Sequence, residues 1–179
     1  MVAAVFAQAR PPIHIKKSRR AKPSAARCVG AGMKTRLLTP EPQRTHVVVL
    51  EKNEEVMKAL TSFAEAHGLS SARVQGIGAF AHATLGFFDR EKRDYEKIEI
   101  DEQVEVLTLL GNVTRHDGQP KLHLHVVLGK RDGTAHGGHL LNAEVWPTLE
   151  LMITENPPHL RRALDAETGL PLLEPQERA

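Results

Sequence analysis

The sequence predicts an α+β domain: a largely antiparallel β-sheet, one early amphipathic helix packed on it, and a short helix near the C-terminal end. Three observations carry this expectation. Apolar residues recur at helical spacing at Val56, Leu60, Phe63 and Ala64. From residue 71 onward the pattern changes to apolar and β-branched runs of strand length. Turn pairs such as Asp89-Arg90, Asp117-Gly118 and Asp132-Gly133 separate most of these runs, and connections that short join antiparallel neighbours.

Thr45 to Leu50, with His46-Val-Val-Val49 at its centre, reads as the first strand. Asn53 is a good N-cap, and Glu54 and Glu55 follow where the helix dipole favours acids. The helix then runs over about 54–67, with Gly68 as its C-terminal stop. Ser71 to Gln75 and Ala81 to Phe88 are strands flanking Gly76-Ile-Gly78-Ala-Phe80. Tyr95 to Ile100, Glu102 to Leu110, Lys121 to Leu128, Thr134 to Leu141 and Glu144 to Thr154 continue the series. A short helix over His159 to Leu164, introduced by Pro157-Pro158, closes the domain.

The chain has 179 residues, 41% hydrophobic and 26% charged, which fits one domain plus a tail and excludes collagen-like and coiled-coil chains. Its net charge of +2 joins two unlike pieces. Residues 1–32 hold seven Lys/Arg and no acid, whereas residues 33–179 hold seventeen Lys/Arg against twenty-two Asp/Glu. The first piece, with Pro11, Pro12 and Pro23 and no periodicity, is expected to be a disordered basic tail. It reads as a targeting segment, as a nucleic-acid arm, or as residues ahead of a start at Met33-Lys34-Thr35. The lone Cys28 permits no intrachain disulfide, which fits a reducing, cytoplasmic setting. No apolar run approaches the ~18 residues that span a bilayer, so no membrane partner is expected.

Histidine is the distinctive chemistry, with ten in the chain and six between residues 82 and 139. His123 and His125 flank Leu124 in a predicted strand, so both stand on one face about 7 Å apart at the backbone. A hairpin returning a third imidazole would make a three-nitrogen site with an open fourth position. A three-residue Arg131-Asp132-Gly133 loop, with Gly133 left-handed, sets residue 139 opposite 125; a two-residue Asp132-Gly133 turn brings His136 to the shared face instead. Neutral imidazole suits zinc, and Asp132 reads as a turn residue. The Gly76-Ile-Gly78 pair is too sparse for a dinucleotide fingerprint and fits a tight bend or close packing. Arg73, beside it, is either an anion holder or the partner of Glu105.

Arg73-Val-Gln-Gly76-Ile-Gly78-Ala-Phe80, Ala83-Thr-Leu-Gly86-Phe-Phe-Asp89, Glu105-Val-Leu-Thr-Leu-Leu-Gly111-Asn112, His123-Leu-His125 and Gly137-Gly138-His139-Leu140 occur in that order. Together they resemble the plants-and-prokaryotes conserved (PPC) domain, in its bacterial single-domain form, over roughly residues 44–174. The resemblance implies a homotrimer-forming α+β domain from a family labelled as candidate DNA-binding proteins. It implies His139 as the third histidine, with His136 as an extra contact. Related folds include acetolactate decarboxylase-like enzymes with zinc on clustered histidines. The plant branch carries a Gly-Arg-Phe-Glu-Ile-Leu partner motif; Glu102 to Leu107 here lacks its Gly-Arg, so that partner role is not carried over.

Two functions follow as expectations. One is a metal-binding trimer, with DNA as the partner that the family label suggests. The other is a metal-dependent hydrolase or decarboxylase of a small carboxylate or ester bound at the metal. In that second reading Arg73 holds the carboxylate and Glu105 or Glu144 relays a proton. The acidic body argues against DNA, because phosphate neutralisation dominates protein–DNA affinity. Arg90, Lys92 and Arg93 alternate with Asp89, Glu91 and Asp94, which reads as a solvated loop.

Overall fold

Apolar residues at every second position drive most of the chain into strands whose inner faces share one core. The computed structural model describes residues 43–156 and 160–175. Its elements are β1 (Thr45–Glu51), α1 (Val56–Ala66), β2 (Ser71–Asp89), β3 (Asp94–Ile100), β4 (Val104–His116), β5 (Gln119–Gly129), β6 (Ala135–Glu155), β7 (Leu160–Leu164) and β8 (Pro171–Pro175). The sheet order is β3-β2-β6-β5-β4-β7-β8, with β1 on β6. An additional β2–β4 pairing closes β2, β6, β5 and β4 into a ring. Every pairing is antiparallel except the β4–β7 contact, where Arg115 meets Arg161. The tail expected over residues 1–32 lies outside the described residues. Among those described, no helix is long and apolar enough to cross a membrane.

The ring encloses Val74, Leu109, Leu124, Leu128, Leu140, Leu149 and Ile153, all buried. Helix α1 packs on β5 and β6 and contributes Val56, Leu60 and Ala64 to this core. Leu122, Leu124 and Val126 point inward as the alternation predicts, leaving His123 and His125 on the outer face.

Several expectations change in detail. The helix is capped by Glu55, not Asn53: the Glu55 carboxylate accepts from the Met57 and Lys58 amides at 3.0 and 2.7 Å. Asn53 is drawn into a strand-like contact, its N–H donating to the Val145 carbonyl at 2.9 Å, while the Val145 N–H donates to the Glu54 carbonyl at 3.0 Å. Losing that cap is measurable. Glu55→Ala is expected to lower the unfolding free energy by about 1 kcal/mol, read from urea denaturation.

The two segments on either side of Gly76-Ile-Gly78 form one 19-residue strand, β2, with an irregularity between Gly76 and Gly78. Close packing explains both glycines. A Cβ on Gly76 would lie 2.7 Å from the Glu150 carbonyl oxygen, and one on Gly78, at φ +155, 2.3 Å from that of Thr148. Thr134 to Leu141 and Glu144 to Thr154 likewise merge into the 21-residue β6, held along its length by β2.

The short C-terminal helix is corrected: residues 160–164 are strand β7, hairpinned with β8 through Leu160↔Pro175 and Ala163↔Leu172. The reason is local turn chemistry. The Asp165 carboxylate accepts from the Thr168 amide and hydroxyl, and Gly169 takes the left-handed conformation at φ +74. These contacts reverse the chain, and pairing then outweighs the weak helical tendency of so short a segment.

Candidate metal centre

The β5–β6 hairpin sets the site. Lys130 and Thr134 close it through Lys130 N–H donating to the Thr134 carbonyl and Gly133 N–H to the Lys130 carbonyl, both at 2.9 Å. Gly133 is left-handed at φ +82, and the Asp132 carboxylate accepts from the Thr134 amide and hydroxyl. Three residues, 131–133, therefore form the loop. The resulting register pairs His125 with His139 and Leu128 with His136.

His123, His125 and His139 consequently meet on the outer face, one ligand atom from each lying within 4.8 Å of the others. Ring centroids are 5.1 to 5.3 Å apart, and the Nε2 atoms of His123 and His125 are separated by 3.2 Å. Nitrogens sharing a tetrahedral zinc at ~2.05 Å stand roughly 3.4 Å apart, so the first pair is already at ligand spacing and His139 needs only a small shift. His139 Nδ1 is buried and has no hydrogen-bond partner. A buried polar atom of that kind is costly unless a further group satisfies it. Three imidazoles with a bare nitrogen fit a divalent ion of zinc's preferences.

Glycines make the approach of the strands close enough. A Cβ on Gly138 would lie 3.1 Å from the Gly86 carbonyl oxygen, and Gly86 pairs with His139. A Cβ on Gly86 would in turn fall 2.7 Å from the Tyr95 ring. That ring stacks on His139, centroids 4.7 Å apart and planes 24° apart. Tyr95 thus walls the cluster from the β3 side.

The surroundings of His139 and His123 oppose their protonation. Burial first, then repulsion from protonated His123 and His125 and from Lys121 and Arg162, pushes the His139 pKa down from 6.5 to about 4. Burial and Arg162 lower that of His123 as well. The unfolded chain therefore takes up a proton at His139 that the folded one refuses. Stability should be full above about pH 6.5 and decline as pH falls toward 4. Urea midpoints of metal-free protein, measured from about pH 7 downward, should drop in that window and drop less in His139→Gln.

The other expected site residues lie elsewhere. His136 is exposed and three strand positions from His139, roughly 10 Å along β6, so it is no part of the cluster. Arg73 faces outward between Asn112 and Thr154. One further strand separates it from His123, placing it roughly 10 Å away at the backbone. Glu105 pairs with Gly129, four positions from His125 and seven from the Arg73 partner Asn112, so it meets neither Arg73 nor the cluster. Glu144 lies 3.7 Å from His82 Nε2, near the middle of β6 and five strand positions, roughly 17 Å, from His139. Asp89 and Glu96 both pair with Lys92, consistent with a solvated loop at residues 89–94.

Two residues beside the cluster escaped the sequence. Tyr95 is one, the chain's single tyrosine. The other is Arg162 of β7, half-buried against the same wall.

A single cross-strand row on the outer face runs Val47, Met152, Gln75, Leu110, His125, His139. Its first part is exposed and apolar: Val47, Val49, Ile77, Leu110 and Met152 line a groove of about 430 Å³.

No curated protein matches the chain. A family model does, over residues 38–157: the Plants and Prokaryotes Conserved (PCC) domain. Among solved structures, a metal-containing protein of Archaeoglobus fulgidus is 35% identical, covering 77% of this chain and 98% of its own, with TM-score 0.71. A plant- and prokaryote-conserved (PPC) protein of Pyrococcus horikoshii is 30% identical, covering 79% and 100%, TM-score 0.71. A candidate DNA-binding protein of Bacteroides thetaiotaomicron is 29% identical, covering 75% and 96%, TM-score 0.71. With its fold, its ordered motifs and most of its length matched, this chain belongs to the Plants and Prokaryotes Conserved domain family.

Proposed function

We propose that the protein is a metal-binding homotrimer in which His123, His125 and His139 hold one divalent ion, zinc by the chemistry of three neutral imidazoles. The observation that carries this reading is the register that sets His139 opposite His125, with ligand atoms of all three histidines within 4.8 Å. The bare, buried Nδ1 of His139 and the metal-containing Archaeoglobus relative support it. The trimer rests on the exposed apolar groove of β1, β2, β4 and β6, since continuous apolar surface of that kind favours association.

Elemental analysis of the purified full chain tests the metal: near-stoichiometric zinc is expected, and background levels would end the proposal. Mass measurement in solution tests the assembly. Three chain masses are expected, with Met152→Glu shifting the population to monomer by placing a charge in the groove. A wild-type monomer at micromolar concentration would refute the trimer.

DNA binding, the label of the Bacteroides relative, draws little support from an acidic body whose loop lysine is paired with acids. Titrating DNA against salt with the full chain and with one starting at Met33 separates tail from body; binding confined to the full chain is expected. Hydrolysis or decarboxylation is less favoured than binding, because neither Glu105 nor Glu144 stands where it could relay a proton at the histidines.

A further inference from the structure

Beside His123 and His139 lies a cavity of about 290 Å³, bounded by β5, β6 and the β7–β8 hairpin. Most of its wall is hydrocarbon, including Leu141, Leu170 and Leu172. Its polar side chains are neighbours of one another: the two imidazoles and Tyr95 in ring contact, and Arg162 bonded to the β4 partners of Lys121 and His123. None of these carries negative charge at neutral pH, and two are cations.

Arg162 is the informative group. Its Nε donates to Thr114 Oγ1 at 2.7 Å, Nη1 to the Pro171 carbonyl at 2.7 Å and Nη2 to Asn112 Oδ1 at 2.6 Å. All three acceptors are neutral. Burial lowers its pKa, and among the described residues no carboxylate acts on it. A half-buried guanidinium with no counter-charge among the described residues is costly, yet this one is fixed by three hydrogen bonds in the wall of a largely apolar cavity. That arrangement suits a group held ready for an anion arriving from outside.

We propose that this cavity binds a small carboxylate with a short hydrocarbon tail. The carboxylate would lie between Arg162 and Lys121 beside the histidine cluster, and the tail among the leucines. The site rests on the metal reading above, since the cluster forms one wall of the head-group end. The volume is at the lower limit for small-molecule sites, which excludes bulky ligands. Three of the five guanidinium N–H donors are already used. The two remaining match a planar two-oxygen head, and the hydrocarbon wall favours a carboxylate with an apolar tail over inorganic phosphate, which has none.

Calorimetric titration of the zinc-loaded full chain tests the inference, with butanoate, butan-1-ol and inorganic phosphate as probes. Butanoate should bind and butan-1-ol should not. Arg162→Lys should weaken butanoate by about 10-fold or more while metal content stays unchanged. Lys121→Gln, at an exposed position, should weaken it several-fold and provides the test if Arg162→Lys fails to fold. In cobalt-substituted protein, butanoate should alter the visible spectrum, reporting a head group beside the ion. Equal butanoate affinity in wild type and Lys121→Gln, together with a folded Arg162→Lys of unchanged affinity, overturns the assignment. So does phosphate binding as tightly as butanoate, or stoichiometric metal with no butanoate binding. A protein that holds no metal instead removes the reading on which the site rests, a distinct result seen before any ligand is added.

Discussion

Replacing His125 with alanine is expected to reduce divalent-metal affinity by about two orders of magnitude while leaving the fold intact. Zinc sites built from four protein ligands are worth about 10–16 kcal/mol in all, so one ligand accounts for roughly 3 kcal/mol. His125 is the member of the trio to change because its side chain is exposed, whereas its flanking residues Leu124 and Val126 carry the core packing. Competition against a chromophoric chelator gives the affinity, and far-ultraviolet circular dichroism checks the fold. His136→Ala is the matched control: an exposed histidine on the same hairpin, paired with Leu128, whose loss should leave affinity within about 2-fold of wild type. Equal affinity in His125→Ala and wild type would remove this imidazole from the site.

Gly111→Ala should be the most damaging single methyl group at the site. Gly111 sits in β4 opposite Leu124, between the pairs Leu110↔His125 and Asn112↔His123. A Cβ there would stand 2.1 Å from the His123 carbonyl oxygen and 2.9 Å from the Leu124 Cα, both backbone atoms with no room to yield. Relief requires β4 and β5 to part beneath the His-x-His pair. Overpacking of cores commonly costs 1–3 kcal/mol, and a clash with backbone on this scale should reach or exceed about 3 kcal/mol. Denaturant midpoints should show the loss, and metal affinity should fall with it, although residue 111 offers no ligand. Gly118→Ala separates crowding from conformation: its Cβ would meet nothing within 4 Å, so any cost there comes from its φ of +78 alone.

Much of this was legible because strands obey a period of two. Leu122, Leu124 and Val126 had to share the core, which put His123 and His125 outside together. The turn itself left two registers open, one presenting His139 and the other His136, and only the family resemblance pointed to His139. What sequence could not supply was long-range. Arg162 reaches the cluster because β7 pairs with β4 across 45 intervening residues at Arg115↔Arg161, and no local pattern encodes that contact. Tyr95 stacks on His139 because Gly86 leaves room between them, a three-strand coincidence. Local chemistry also misled. Asn53 has the composition of a cap, but its backbone is engaged by Val145, and Glu55 takes the role. The run from His159 to Leu164 reads as a helix because nothing local marks the turn made by Asp165, Thr168 and Gly169 as the bend of a hairpin.

The pairing of His125 with His139 has a mechanical corollary. β5 and β6 touch along only five residue pairs, 125–129 against 135–139, and two of the β6 positions are glycines, Gly137 and Gly138, with no side chains to set alignment. Such a short, glycine-bearing ladder resists sliding weakly, and a slip of one position would turn His139 toward the core. An ion bonded to both strands would act as a cross-link, closing a loop of 13 intervening residues and removing freedom from the unfolded chain in the way a disulfide does. The metal would then reinforce the alignment that the 131–133 loop and the β2 ladder set, and chelation would be felt first where β5 meets β6.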